Sequence, residues 1–315
     1  MTRIIFLTTL IVFATNYSAS AQCCSAGNPF FYGEQANMGH NELQTILGYK
    51  YSTSDTYYNG SEEIDIDFVD KAWFNYLNLQ MIYGITSRLS VQTDLGYFMN
   101  KTEDYSKGGW AQSKGYGLGD LTLTFKYLAY RNSTKGLSLI PSFGVKFPVG
   151  VFDQEVDNVK LPITVQPSSG SFKYQANIYF NKKFKNPKWN LGAFTSFEYA
   201  QLIDSENFYY KYGNMFLLSV IASYMVHSKI NFGLELRTDM RGKSQREDDQ
   251  VVESSGYSIV YAIPHISYSF AKKWLLSLNA EFPVYRYYNG IQMGNKFSVS
   301  AQLSYRMNFN KKAGE

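Results

Sequence analysis

Residues 297–309 read FSVSAQLSYRMNF. Phe297, Val299, Ala301, Leu303, Tyr305, Met307 and Phe309 alternate with Ser298, Ser300, Gln302, Ser304, Arg306 and Asn308. Period-two alternation sends successive side chains to opposite faces of a strand, so this stretch has one apolar face and one polar face. The pattern recurs upstream. Ile230, Phe232, Leu234 and Leu236 oppose Asn231, Gly233, Glu235, Arg237 and Asp239. Phe172, Tyr174, Ala176, Ile178 and Phe180 form one apolar face, and Leu121, Leu123, Phe125 and Tyr127 another.

Twelve such strands are predicted, at about 42–51, 72–83, 88–98, 119–130, 136–148, 171–182, 189–200, 215–226, 229–239, 257–270, 274–285 and 297–309. Short connections fall at 84–87, 131–135, 183–188, 227–228 and 271–273, and long ones at 52–71, 99–118, 149–170, 201–214, 240–256 and 286–296. The two kinds alternate. Outer-membrane barrels sort their connections in this way, with tight periplasmic turns and long extracellular loops. The expected fold class is all-β: a transmembrane antiparallel up-and-down barrel of about twelve strands.

Composition agrees. Of 315 residues, 27 are Tyr, 23 Phe and 4 Trp, and only 18% are charged. Disordered chains need more charge and fewer rings. The formal net charge of +4 is too small and too scattered for a nucleic-acid binder. Past the N-terminus no apolar run approaches a membrane helix.

A barrel wall requires different faces. Spanning strands must pair every backbone group, which only closure allows. On the outward face, Tyr83, Phe180, Trp189, Trp274 and Phe309 are expected at the periplasmic interface, and Trp73, Tyr97 and Phe147 at the outer one. The inward face carries Lys50, Asp94, Asp120, Lys126, Lys146, Lys173, Glu198, Glu235, Arg237, Asp239, Glu281 and Arg306, six acidic and six basic residues. A lipid-facing Arg or Lys at mid-membrane would cost about 2–4 kcal/mol, so confinement of charge to one face supports this phase. A balanced interior implies a narrow, cross-linked lumen.

Residues 1–21 read as a secretory signal, with Arg3, a short apolar stretch from Ile4 to Phe13, and Ala19-Ser20-Ala21 before the cut. Residues 22–41 are then an N-terminal periplasmic segment, 42–309 the barrel and 310–315 a tail. Cys23 and Cys24 are the only cysteines. A disulfide between neighbours would be strained, and no further cysteines supply a zinc set.

Three motifs follow one another. They are Tyr83-Gly84-Ile85-Thr86-Ser87-Arg88-Leu89, Gly117-Leu118-Gly119-Asp120-Leu121, and Val145-Lys146-Phe147-Pro148-Val149-Gly150. In this order they resemble the YGxTxRL hairpin, the GxGDL strand start and the lklPtG strand end of the phenol-degradation (meta-pathway) transporter family of outer-membrane β-barrels. Val149 departs from the family's usual Thr, and the tail after Phe309 is an addition. The resemblance covers residues 72–150 and implies a barrel that passes aromatic or other hydrophobic compounds. Tyr305-x-Met307-x-Phe309 resembles the terminal signal read by the barrel-assembly machinery.

The expected function is passage of a small solute across the outer membrane. The alternatives are a structural or accessory barrel with envelope protein partners and, less favoured, a phospholipase-like enzyme. The last rests on His265-x-Ser267, whose side chains share a face, but the Asn-Gly that follows the Ser in such enzymes is missing here. No enzyme, cofactor or metal is expected, and outer-membrane lipids are the expected surroundings. Asp55, Glu62, Glu63, Asp65, Asp67 and Asp70 crowd the first long loop without the spacing of a calcium site, so they read as solvated acids. Arg241, Lys243, Arg246, Glu247, Asp248, Asp249 and Glu253 read as an exposed polar loop.

Overall fold

The computed structural model describes residues 37–309 apart from 67, 110, 185–187, 206–207 and 272. The leader 1–21, the cysteine pair, most of the 22–41 segment and the tail 310–315 lie outside the described residues. Twelve long strands make the wall: β1 Glu42–Ser54, β2 Lys71–Gly84, β3 Leu89–Asp104, β4 Ser113–Tyr127, β5 Leu137–Phe147, β6 Lys173–Lys183, β7 Trp189–Ala200, β8 Met215–His227, β9 Ile230–Arg241, β10 Tyr257–Ala271, β11 Trp274–Gly294 and β12 Phe297–Asn308. Each pairs antiparallel with its chain neighbours, and β1 pairs with β12 from Glu42↔Asn308 to Thr53↔Phe297. The sheet is therefore a closed barrel with no free edge in the wall.

The predicted phase holds along the strands. Leu47, Leu79, Phe125, Phe143, Ile178, Val220, Leu234 and Leu278 are exposed on the outer face, where lipid replaces water as their solvent. Rings pair near the two rims. At the turn end, Trp189 packs on Tyr224 (4.8 Å) and Trp274 on Tyr305 (4.5 Å). At the loop end, Phe147 meets Phe172 (5.8 Å) and Lys71 covers Trp73 (5.5 Å). Tyr83, Tyr97, Phe180 and Phe309 are also exposed.

Gly84 ends β2 where an added Cβ would lie 1.8 Å from the Gly39 carbonyl oxygen. It makes room for the segment entering β1, fastened by Asn41 N to Gly84 O at 2.9 Å, at the start of the tight turn 85–88.

Two connections differ from expectation: strands β3 and β4 extend into the expected 99–118 connection and leave only 105–112 between them, and the last connection differs more. Residues 286–294 continue β11 instead of forming a loop, and the last connection is only 295–296. A register shift beside Pro283 and Tyr285 inserts one residue. Glu281 is therefore buried on the inner face before the shift, and Tyr288 after it. Above the wall, β11 pairs with the strand Thr56–Gly60, which pairs in turn with Glu62–Ile64. Tyr57, Val69, Ala72 and Met293 form a small core there.

A second cap covers the opposite side of the loop end. Strands Ile203–Ser205, Phe208–Lys211 and Gln245–Arg246 form a ladder. Ile203, Tyr210 and Val252 are buried there, with Phe152, Ile163, Phe208 and Tyr212 packed against them.

Candidate functional site

The inner face carries buried charges on many strands, but they do not line an empty tube. They interlock. Glu281 of β11 accepts from Lys50 of β1 at 2.8 Å and from Arg237 of β9 at 3.1 Å. Arg237 Nε also lies 3.1 Å from Asp239 Oδ1, an ion-pair contact without hydrogen-bond alignment, and the guanidinium stands 4.8 Å over the Tyr261 ring. All four charged groups are almost completely buried. Glu235, below them, accepts from Ser219 at 2.7 Å. Such a cluster is held together because removing one partner leaves the rest charged in a poorly solvated interior.

Two strands on from Lys50, Asp94 of β3 accepts from Gln80 at 2.5 Å and Gln92 at 2.7 Å and lies within electrostatic range of buried Lys126. A third group joins Lys146 of β5 to Glu198 of β7 at 2.9 Å, with Gln175 of β6 donating to the same carboxylate at 2.7 Å. Lys173 stands 4.5 Å over Tyr212. Arg306, near the turn end, is exposed and reaches Gln44 at 3.5 Å.

Asp120 has a different task. The connection 148–172 is a strap whose last third is buried at Val165, Gln166, Ser168 and Ser171. Asp120 Oδ1 accepts from Ser168 Oγ at 2.6 Å and Ser169 N at 3.0 Å, and Oδ2 from Ser169 Oγ at 2.6 Å. Lys101 Nζ donates to Gln166 O at 2.9 Å. Gln154 imitates a strand residue, pairing with Tyr116 N at 3.1 Å and Tyr116 O at 2.6 Å. At Gly115 an added Cβ would fall 1.9 Å from the Val165 carbonyl, so only glycine allows the strap to lie this close to β4. The motif residue Asp120 thus anchors a segment that folds against the barrel interior.

Several interior residues escaped the sequence reading. Phe74, Tyr76 and Phe98 pack together inside, as do Tyr257, Ile259, Tyr261, Ile263 and Tyr288. The rim assignment overlooks them, although period two from outward Trp73 and Tyr97 carries Phe74, Tyr76 and Phe98 inward, and period two from inward His265 does the same for Tyr257 and Tyr261. Arg241, read as part of an exposed loop, ends β9 with its guanidinium 5.9 Å from the Tyr257 ring and 3.5 Å from Met215 Sδ. It continues the register of Arg237 and Asp239, which was the available signal.

The acidic first loop disperses its charge. Asp55 pairs with Lys296 at 2.7 Å, and Asp70 accepts from Lys107 N at 2.7 Å. No group of three metal ligands occurs among the described residues. Partial burial pushes the Asp55 carboxyl up, but hydrogen bonds from Lys296 and Thr56 outweigh it and hold it below the usual range.

His265 faces inward against Gly233, opposite Asn279 in the register. Ser267 pairs with Ser277 Oγ at 2.9 Å, and Ser300 donates to Asn279 Oδ1.

A family model described as "Putative MetA-pathway of phenol degradation" matches residues 57–299. The COG4313 outer membrane channel from Pseudomonas putida F1 superposes with a TM-score of 0.71 at 16% identity, covering 88% of this chain and 100% of that one. The β domain of the Bordetella autotransporter BrkA gives 0.51 at 10% identity, over 85% of this chain and 100% of that one. The NanC porin gives 0.47 at 11% identity, over 84% and 100%. A search of curated proteins finds no match. The likenesses to the COG4313 channel and the BrkA β domain show the fold, a closed antiparallel β-barrel shared with outer-membrane proteins.

Proposed function

The chain belongs to the family described as the MetA pathway of phenol degradation, and from that membership we propose that it is an outer-membrane conduit for a small organic solute. The supporting observation is a closed wall with an apolar outer face and an inner face that holds both paired charges and aromatic clusters. A lumen of that mixed chemistry suits a solute with a polar end and an apolar body. Passage follows the axis, from the capped loop end past the strap held by Asp120 to the short turns. The twelve charged residues predicted to face the lumen are proposed to set its width and selectivity. The leader 1–21 is proposed to direct export, with the short turns on the periplasmic side.

A second reading is a barrel that passes nothing and serves as an accessory subunit of an envelope complex. It is favoured by the near-complete burial of Lys50, Arg237, Asp239 and Glu281, which cross-links the interior. Liposome swelling and bilayer conductance separate the two. The conduit reading expects solute flux from purified, folded barrel. No flux and no current, together with stable co-purifying proteins, would carry the accessory reading instead.

A further inference from the structure

The two ends of the barrel carry opposite charge. The loop-end connections 55–70, 105–112, 148–172, 201–214, 242–256 and 295–296 hold fifteen acidic and six basic residues. The turn-end connections 85–88, 128–136, 184–188, 228–229 and 272–273 hold eight basic residues and no acidic one. In the five residues of each strand nearest those turns, Glu42 of β1 is the one carboxylate. Its oxygens accept from Asn308 and from the Gly39 amide, each at 3.0 Å. Arg88, Lys135, Lys188, Lys229 and Lys273 are all exposed, and none has an ion pair among the described residues.

These five cations share one place in the fold. Arg88, Lys188, Lys229 and Lys273 each immediately precede a wall strand, and Lys135 precedes one by two residues. The strands they precede, β3, β5, β7, β9 and β11, open on Leu89, Leu137, Trp189, Ile230 and Trp274, all on the lipid-facing side of the alternation. The cations therefore circle the wall at one level, next to the residues that end its apolar band. Lys188 leans toward the membrane side: its ammonium stands 6.0 Å over Tyr224, the ring that packs on Trp189. Lys182, on the outward face of β6, donates to Lys135 O at 2.5 Å and lies 5.7 Å from the Phe184 ring. A single macromolecular partner would meet one side of such a circle, whereas a layer of headgroups meets all of it. Like charges so arranged repel one another, and a surrounding sheet of anions relieves that repulsion.

We propose that this belt binds anionic phospholipid in the leaflet at the turn end, with lipid phosphates against the five cations and acyl chains against Trp189, Trp274 and the apolar residues level with them. The acidic loop end offers the other leaflet no such attraction. The assignment rests on the closed wall and its lipid-facing phase, and it stands whether or not the lumen passes a solute.

Trp189 and Trp274 adjoin the belt and report on it. The full-length barrel carrying Trp73→Phe and Trp110→Phe is reconstituted in vesicles of equal parts phosphatidylglycerol and phosphatidylcholine, one lipid or the other brominated, and tryptophan quenching is read at low and high salt. Phosphatidylglycerol is expected to be favoured about fivefold, the scale of one cation at an anionic surface, and salt is expected to erode that preference. A companion protein that retains Trp73 alone is expected to show no preference. Lys188→Gln with Lys273→Gln should remove the preference at the turn end, and Lys188→Arg with Lys273→Arg should keep it, each variant being checked for folding by heat-modifiable gel migration. Equal quenching by the two lipids at Trp189 and Trp274, a preference that survives both Gln substitutions, or the same preference at Trp73 would overturn the assignment. Binding of soluble polyglutamate with no lipid preference would also overturn it, in favour of an acidic protein partner.

Discussion

Asp120 shows how much one side chain can hold. Its carboxylate takes three hydrogen bonds from the strap, and bonds to a charged group contribute about 1.5–3 kcal/mol each. Asp120→Ala is expected to free the strap and raise single-channel conductance, while the folded barrel persists because no wall hydrogen bond is lost. An unchanged conductance would mean that the strap does not narrow the path. Glu281 makes the opposite case. Glu281→Gln leaves Lys50 and Arg237 without their shared counter-charge, at an expected cost of about 3–5 kcal/mol, read as a lower urea midpoint for unfolding from lipid vesicles. A Lys50→Met partner substitution should recover part of that loss. At the loop end the Asp55–Lys296 pair adds a pH dependence. Asp55 is held below its ordinary value in the folded protein, so its contribution is present above the ordinary carboxylate range and disappears as pH falls through the lower, folded value. Amide exchange at 295–296 should accelerate on acidification below about pH 4 and lose that dependence in Asp55→Asn.

Strands were legible because lipid and lumen impose period two on them. Leu234 and Glu235 are neighbours in β9, yet one is exposed to lipid and the other buried inside. Leu234→Arg is therefore expected to cost about 2–4 kcal/mol in lipid-vesicle unfolding, whereas Glu235→Gln should cost less, because Ser219 can still donate to the amide oxygen. Equal costs at the two positions would contradict the assigned phase. Period two lost its force in three places. Arg241 was absorbed into the charged run that follows it, although the count from Arg237 carries it inward. The single-residue shift near Pro283 hid the continuation of β11, because a bulge reverses the alternation and mimics the end of a strand. The strap 148–172 has no repeat at all. Its position depends on Asp120, Lys101 and Gly115, residues distant in the chain, and no local pattern announces such contacts.

For the whole molecule, closure is the property from which the rest follows. Every wall strand has two partners, so the barrel should resist detergent at room temperature and change its gel migration only on boiling. A monomer soluble without detergent would contradict this. Lipid hydrolysis that disappears in Ser267→Ala would restore the enzymatic alternative. The extension of β11 bears on how closure is reached. β1 and β12 are the first and last strands to emerge, so the seam between them can zip only after the whole chain has been delivered. Above that seam β11 passes over β12 and pairs with Thr56–Gly60, the direct continuation of β1. The joint is thus fastened twice, once within the bilayer and once outside it, like a zip with a clasp at its end. Parting the seam sideways would require both fastenings to open together, which makes insertion hard to reverse and confines any travelling molecule to the axis.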